Sequence, residues 1–409
     1  MTDYRSPLLD FSFSRGAVVG SGEPDLGVAA HYGEPLIEQR ALSRGVALVD
    51  LSHLDVVTIT GPDRLTWLHT LSTQMFEELP PGSSTEFFLL DMNGRIEHAA
   101  KVYDDGETAW LIADSGRGEA LVKFLEWMRF TYQVEVAVAD YAIIGTREDG
   151  PVLVGADGAE LPVWRDPWPT VAEGSTQYTD PAAPHPGQEW KAAMWFVPRA
   201  DLGTVVKQAI DSGARMAGAW GWEALRIASW RPRHNREVDD RAIPHELDWL
   251  RTGVHLHKGC YKGQETIARV FNMGKPPRRL VFLHLDGSEH TFPEPGDDVV
   301  AGERKVGTVT SVGQHHELGP IALALIRRGT AEDIDLLAGG IAAALSSPSS
   351  LGCSCAVELD PSLASVGPST FATPPFLFLK LPSSPPPLQP FIPDFALPRV
   401  PRETPPPPQ

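Results

Sequence analysis

Apolar residues recur at helical spacing over residues 34–44, EPLIEQRALSR, and Gly45 closes the run. Two strand-like segments follow, VALVD at 46–50 and DVVTIT at 55–60. Gly61-Pro62-Asp63 forms a turn, and Asp63 stands where it would N-cap a helix over 64–71. EFFLL at 86–90 and the run at 96–103 flank Asp91-Met92-Asn93-Gly94. Asn-Gly between apolar runs is the strongest short hairpin signal, because a tight two-residue turn needs φ > 0. TAWLI at 108–112 predicts another strand, 116–128 an amphipathic helix, and 135–138 and 141–146 two further strands.

The period weakens beyond Thr146. Residues 147–190 are rich in Pro, Gly and Asp and predict a peripheral excursion, with strands only at 152–154 and near 161–164. A strand at 195–198 and helices at 202–212 and 221–229 follow; 234–256 reads mostly as loop. A helix over 264–271 ends near Gly274, and 279–285, 307–312 and 321–326 predict a small all-β barrel. The class is α+β. The partition is a weakly patterned lead-in at 1–30, a two-subdomain region at 31–256, a helix and barrel at 257–343, and a tail at 344–409. From Ala344 the chain becomes Ser- and Pro-rich and ends PRETPPPPQ, a composition of disordered or polyproline-like chain. Its abrupt edge also fits an out-of-frame reading of a gene that ends soon after Ile341.

Composition narrows the function classes. A chain of 409 residues supports several cores. A net charge of −18 argues against direct nucleic-acid or membrane-surface binding, which needs clustered Lys and Arg. Three cysteines make no disulfide framework and suit a reducing cytoplasm. The N-terminus lacks the basic start and apolar run of a secretory signal, and no apolar stretch reaches the roughly 20 residues of a membrane span. No repeat, phosphate loop or dinucleotide fingerprint is present.

The candidate chemistry centres on HKGCYKGQE at 257–265, which holds the only cysteine of the first 350 residues. Lys258 and Lys262 flank Cys260 and would favour its thiolate, as would the start of the following helix. Gly259 and Gly263 permit unusual backbone angles and close ligand approach. Gln264 and Glu265 could hydrogen-bond a heterocycle, and Tyr261 could stack on one. On residue types alone four roles stay open for Cys260. It is an inert buried thiol, a redox thiol, a metal ligand with His255 and His257, or a nucleophile with His245, His255 or His257 as base. Cys353 and Cys355 form an isolated C-x-C pair, a weak metal signal.

Two further groups stand out. Asp91, Asn93 and Arg95 most simply build a hairpin turn but could face a ligand. Trp222, Glu223 and Arg226, ahead of Arg231-Pro232-Arg233, read as a solvated helix face with a core Trp, or as a grip on an anionic ligand such as a polyglutamate tail.

HKGCYKGQETIARVFNMGKPPRRL resembles the K-G-C-[FY]-x-G-Q-E motif of the YgfZ family, folate-binding relatives of the glycine-cleavage T protein. GVALVDLSHLDVVTITGPDRLTWLHTLSTQ and WEALRIASWRPRHNREVDDRAIPHELDWL are similar to its upstream segments, so the resemblance covers about 31–341. It implies a T-protein-like fold around a folate pocket, with a C-terminal barrel. It also implies tetrahydrofolate as cofactor, and iron–sulfur client proteins, among them tRNA-modifying enzymes, as partners. The functional thiol is then Cys260, with Lys258, Gly259, Tyr261, Gly263, Gln264 and Glu265 carried over around it as folate contacts. Asp91, Asn93, Trp222 and Arg226 join them as candidates. Where a true T protein carries a catalytic aspartate after the hairpin glycine, this chain reads Gly94-Arg95-Ile96-Glu97-His98. It also has Ala228 where an acidic pterin contact is expected. Aminomethyl transfer is therefore the alternative reading, as a tetrahydrofolate-dependent aminomethyltransferase or demethylase.

Overall fold

In the first five-stranded sheet every neighbouring pair is antiparallel. The computed structural model describes residues 4–346, apart from 21, 23 and 289. The sheet runs in the order Ser83–Leu90, Ile96–Asp104, Thr108–Ala113, Asp55–Thr60 and Glu135–Val138. Alternation sends Phe87, Leu89, Ala100 and Val102 to one face, where helices Arg64–Leu71 and Gly118–Trp127 cover them through Trp67, Leu68, Leu121 and Leu125. Phe88, Leu90 and Ile112 face the other way, into a central core.

A second sheet runs Val163–Arg165, Ala192–Pro198, Tyr141–Arg147, Ala47–Asp50, Arg215–Ala217, and only its last pair is parallel. One face packs under helix Leu202–Asp211, and the other sends Ile143, Met194 and Phe196 into the same central core. The barrel closes in the order Arg278–Leu285, Gly319–Arg327, Arg304–His315, Asp298–Ala301, Leu336–Ala338, Ile341–Ser346. The α+β reading and the C-terminal barrel therefore stand. The barrel's last strand includes residues 344–346, and the tail from 347 onward, with Cys353 and Cys355, lies outside the described residues.

Several local expectations change. Asp63 does not cap helix Arg64–Leu71; its carboxylate accepts from the Gln133 amide at 2.7 Å, because Gly61 brings the two segments into contact. The lead-in is built into the fold: Leu8 is fully buried, and Ala29–His31 pairs with Val18–Val19. The excursion is not peripheral either. Trp168 and Trp190 are buried, with indole N–H groups donating to Ser229 O at 2.9 Å and to Asp166 Oδ2 at 2.7 Å. A Pro- and Gly-rich backbone shows no period, yet its aromatic side chains supply the burial. Within 234–256 the chain forms short turns of helix at His234–Glu237, Pro244–Leu247 and Leu250–Gly253. Helix Ala219–Ala228 is buried against helix Pro35–Ser43 and barrel strand Arg304–His315, so the solvated face expected around Glu223 and Arg226 does not exist.

Arg231 ties these parts together. Its Nη1 and Nη2 donate to the two carboxylate oxygens of Glu86 at 3.1 and 2.7 Å, and its Nε to Asp166 at 2.9 Å. Its guanidinium lies between the rings of Trp168 and Trp249, 5.4 and 5.5 Å from their centroids. Removing this cation leaves two carboxylates buried without a counter-ion, held only by neutral donors such as the Trp190 and Trp249 N–H groups, which costs about 3–5 kcal/mol. Arg231→Met is expected to lower the unfolding free energy by that amount in urea titration, and Trp249→Phe by less, since it removes only one donor to Glu86.

Candidate functional site

The central cleft lies where the inner faces of both sheets meet the segment that leaves helix Ala219–Ala228. Pro232 and an extended Arg233 direct consecutive arginines to different partners. Arg233 reaches Asp25 at 3.0 Å, Glu223 at 3.3 Å and Asp114 at 3.5 Å. Arg226 uses all five of its N–H groups, on Glu223, Glu237, Ser311 and the Arg231 carbonyl. It is therefore saturated and has no donor left for an anionic ligand. Burial alone would raise the Asp114 carboxyl, but the charges of Arg233 and Lys101 override it and hold it well below the ordinary range. Asp166 goes the other way: burial raises it against the pull of Arg231.

Lys101 differs from these arginines. It projects from strand Ile96–Asp104 into the cleft and has no ion pair among the described residues. Its amine lies 5.9 Å over the ring of Trp164, and burial lowers its pKa, opposed by Asp114. Trp190, Met194 and Trp222 complete the apolar side of the cleft. The enclosed free volume is about 30 Å³, space for about one water molecule.

The HKGCYKGQE segment has a different geometry. Lys258 is buried, and its ammonium donates to the carbonyls of His69, Ser72 and Gln74, the last two at 2.6 and 3.1 Å. It thus holds the end of helix Arg64–Leu71, and burial lowers its pKa to about 8. Tyr261 is buried beside it, with the Lys258 amine 5.3 Å from its ring centroid. Lys262 pairs with Glu97 at 3.0 Å. Neither lysine head is spent on the thiol, and Cys260 is exposed. The inert buried reading of Cys260 is thereby removed. His245 is also removed as its base, because His245 is buried with Nε2 on Ile267 O at 3.1 Å. Among the described residues no group of three or more His, Cys, Asp or Glu side chains is placed to hold a metal.

Gly263 is in the left-handed region at φ 84°, and a Cβ there would meet Asp91 O at 2.6 Å. Gly94 has φ 77°, and its Cβ would meet Thr266 Cβ at 2.9 Å. These two glycines let the loop seat directly on the hairpin turn. Asp91 is absorbed in that turn, accepting from the amides of Asn93 and Arg95 at 2.7 and 2.8 Å and from the Asn93 side chain at 3.2 Å. The Gln264 side chain donates to the Lys258 carbonyl at 3.5 Å, while Gly259 and Glu265 are exposed.

Of the sequence candidates, then, Trp222 and Arg226 line the cleft, and Asp91, Asn93 and the residues from Lys258 to Glu265 gather at the hairpin end of the first sheet. The two places are connected. Strand Ile96–Asp104 runs from the Glu97–Lys262 pair, past a register shift between Ile96 and His98, to Lys101 roughly 14 Å along it. Sequence reading missed Asp25, Glu86, Lys101, Asp114 and Asp166. The available signal was a charge inside a strand that otherwise reads apolar, as in EFFLL, AAKVY and TAWLIAD.

Two family models match the chain. The GCVT N-terminal domain covers residues 30–146, and the glycine cleavage T-protein C-terminal barrel domain covers 278–348. A chloroplastic protein of Arabidopsis thaliana that carries a provisional transferase name is 26% identical over 350 residues, 80% of this chain and 76% of the relative. An aminomethyltransferase of Methylococcus capsulatus is 24% identical over 296 residues, 69% of this chain and 78% of that one. The tRNA-modifying protein YgfZ of Cronobacter sakazakii is 24% identical over 284 residues, 66% of this chain and 81% of that one. The crystal structure of glycine cleavage system aminomethyltransferase T from Bartonella henselae shares the fold, with a TM-score of 0.63 at 17% identity over 81% of this chain and 93% of that one.

Burial around the cleft and barrel also sets a pH dependence. Burial lowers His185 to about 3 and His234 and His245 to about 4, and neither ring nitrogen of His234 has a partner among the described residues. The unfolded imidazoles bind protons near pH 6.5 and the folded ones only near 3–4, so stability falls as pH drops from 6.5 toward 4. Urea titrations at pH 7 and pH 5 are expected to show a less stable protein at pH 5. His234→Phe is expected to reduce that difference; a variant with the full wild-type difference contradicts the assignment.

Proposed function

The chain belongs to the family built on the GCVT N-terminal domain and the glycine cleavage T-protein C-terminal barrel, and from that premise we propose that it is a tetrahydrofolate-binding accessory protein. Its role is in the assembly or repair of iron–sulfur proteins, including tRNA-modifying enzymes, and Cys260 is its functional thiol.

One observation carries the choice of accessory protein over transferase. Glu97 occupies the run where a T protein would carry its catalytic carboxylate, and here it is neutralised by Lys262 of the cysteine loop. The carboxylates of the cleft are likewise committed, Asp25 and Asp114 to Arg233, Glu86 and Asp166 to Arg231, and Glu223 and Glu237 to Arg226. Among the described residues the cleft carboxylates thus serve as counter-ions and His53 Nδ1 is left as an acceptor without a partner, whereas the loop that holds Lys262 carries an exposed thiol.

The cleft suits a folate in chemistry. Trp222 offers an aromatic wall, and Lys101 is a cation without a carboxylate partner among the described residues. Its small free volume means that a pteridine enters only when Lys101 and its neighbours shift. With folate held there, Cys260 works at the hairpin end of the same sheet, on a client rather than on the pterin. A free exposed thiol suits a reducing cytoplasm; among the described residues no helix is long and apolar enough to cross a membrane.

The second reading, a one-carbon transferase, is favoured by the aminomethyltransferase relatives. Product formation separates the two. Incubation with tetrahydrofolate and methylamine donors is expected to yield no methylene-tetrahydrofolate. Calorimetric titration of tetrahydrofolate is expected to give the same affinity for wild type and Cys260→Ser. In a deletion strain Cys260→Ser is expected to fail to restore iron–sulfur enzyme activity. Full rescue by that variant, or turnover to methylene-tetrahydrofolate, contradicts the proposal.

A further inference from the structure

A second cavity, of about 370 Å³, opens between the excursion, the segment after Trp230 and the barrel. Its volume falls in the range of small-molecule sites, roughly 300–1,000 Å³. It does not share Lys101, Trp222 or any of the three cleft arginines.

Its walls are aromatic. Trp230 stacks on Phe282 at 6.3 Å with rings tilted by 15°, and Tyr178 lies 5.8 Å from the ring of His245. Four lining residues each keep one buried polar atom with no partner among the described residues. These are Trp230 Nε1, Tyr178 Oη, Arg279 Nε and His245 Nδ1. Three of them are N–H or O–H donors. His245 is the acceptor: its Nε2–H donates to Ile267 O, which leaves Nδ1 as a lone pair. Buried polar groups normally find partners, so the wall of this cavity is short of hydrogen-bond partners, although the four atoms themselves are closed to a water-sized probe.

The backbone fixes where the wall stands. Trp230 at φ 53° and Asp248 at φ 51° line this cavity, and each takes the left-handed conformation that closes a helix end, Ala219–Ala228 and Pro244–Leu247 respectively.

The charges fix the sign of the occupant. Arg279 is paired with Glu332, Glu246 with Arg278, and Asp248 with Arg251. Arg328 has no ion pair among the described residues, and its guanidinium rests on the face of Tyr178, 5.6 Å from the centroid. Asp180 is at the exposed rim. One half-buried cation over an aromatic wall matches one negative charge on a planar group.

We propose that this cavity is a binding site for a planar aromatic monocarboxylate, with its ring between Tyr178 and Trp230 and its carboxylate on Arg328. The site is separate from the cleft proposed for folate and does not depend on that assignment.

The test is calorimetric titration of the full chain with 2-naphthoate, with 2-naphthamide as the neutral isostere. Wild type is expected to bind naphthoate saturably and naphthamide at least about tenfold more weakly, the size of a lost charge-assisted hydrogen bond. Arg328→Gln, at a half-buried position, is expected to weaken naphthoate about tenfold. Ala183→Phe, which fills the cavity from the excursion, is expected to abolish binding. Both variants are expected to give the wild-type far-ultraviolet circular dichroism spectrum, which reports that they are folded. No binding to wild type, unchanged affinity in either variant, or equal affinity for the amide overturns the proposal. Displacement of naphthoate by tetrahydrofolate overturns the claim of a separate site.

Discussion

Three arginines within eight residues, Arg226, Arg231 and Arg233, set the arrangement of everything around the cleft. A guanidinium keeps its charge in any environment, so a buried one must be surrounded by acceptors. Arg231 draws Glu86 from the first sheet and Asp166 from the excursion. Arg226 draws Glu223 and Glu237 together with Ser311 of the barrel. Arg233 draws Asp25 from the lead-in and Asp114 from the end of strand Thr108–Ala113. Buried ion pairs add little net stability over apolar packing, but a misplaced one is severely penalised. Their effect here is to make one arrangement of lead-in, sheets and barrel far better than its neighbours.

The same network restricts chemistry. Each cleft carboxylate that could move a proton already neutralises an arginine, and Asp114 is held ionised by its cationic neighbours despite its burial. What remains unspent among the described residues is the amine of Lys101, Nδ1 of His53 and, at the hairpin end of the sheet, the thiol of Cys260. The loop that carries the thiol is fixed by three contacts. Lys258 is anchored on the end of helix Arg64–Leu71, Lys262 on Glu97, and Gly263 against the hairpin turn. These contacts hold the loop in place and leave the Cys260 thiol exposed.

Local pattern was legible and long-range pairing was not. The hairpin at Asp91–Gly94 and the helix Gln264–Met273 follow from Asn-Gly chemistry and from apolar spacing, both of which act within a few residues. Lys258 was misread as a charge facing the sulfur, because its real partners, such as the Ser72 carbonyl 186 residues away, are invisible in the local run. Arg226 was misread as solvated for the same reason: its Ser311 partner is 85 residues distant. The motif at 257–265 left both a buried and a reactive thiol open, and the structure shows Cys260 exposed while Lys258 and Tyr261 are occupied in holding the loop. The cleft cation Lys101 carried only a faint signal, one charge within the run AAKVY.

The central claim is that folate occupies the arginine-framed cleft and leaves the thiol loop free for a client. Hydrogen–deuterium exchange with and without tetrahydrofolate tests it most directly. The account predicts slowed exchange at residues 51–54 and 230–233, which border the cleft, and unchanged exchange at 257–265. Protection confined to 257–265, with none around the cleft, contradicts it.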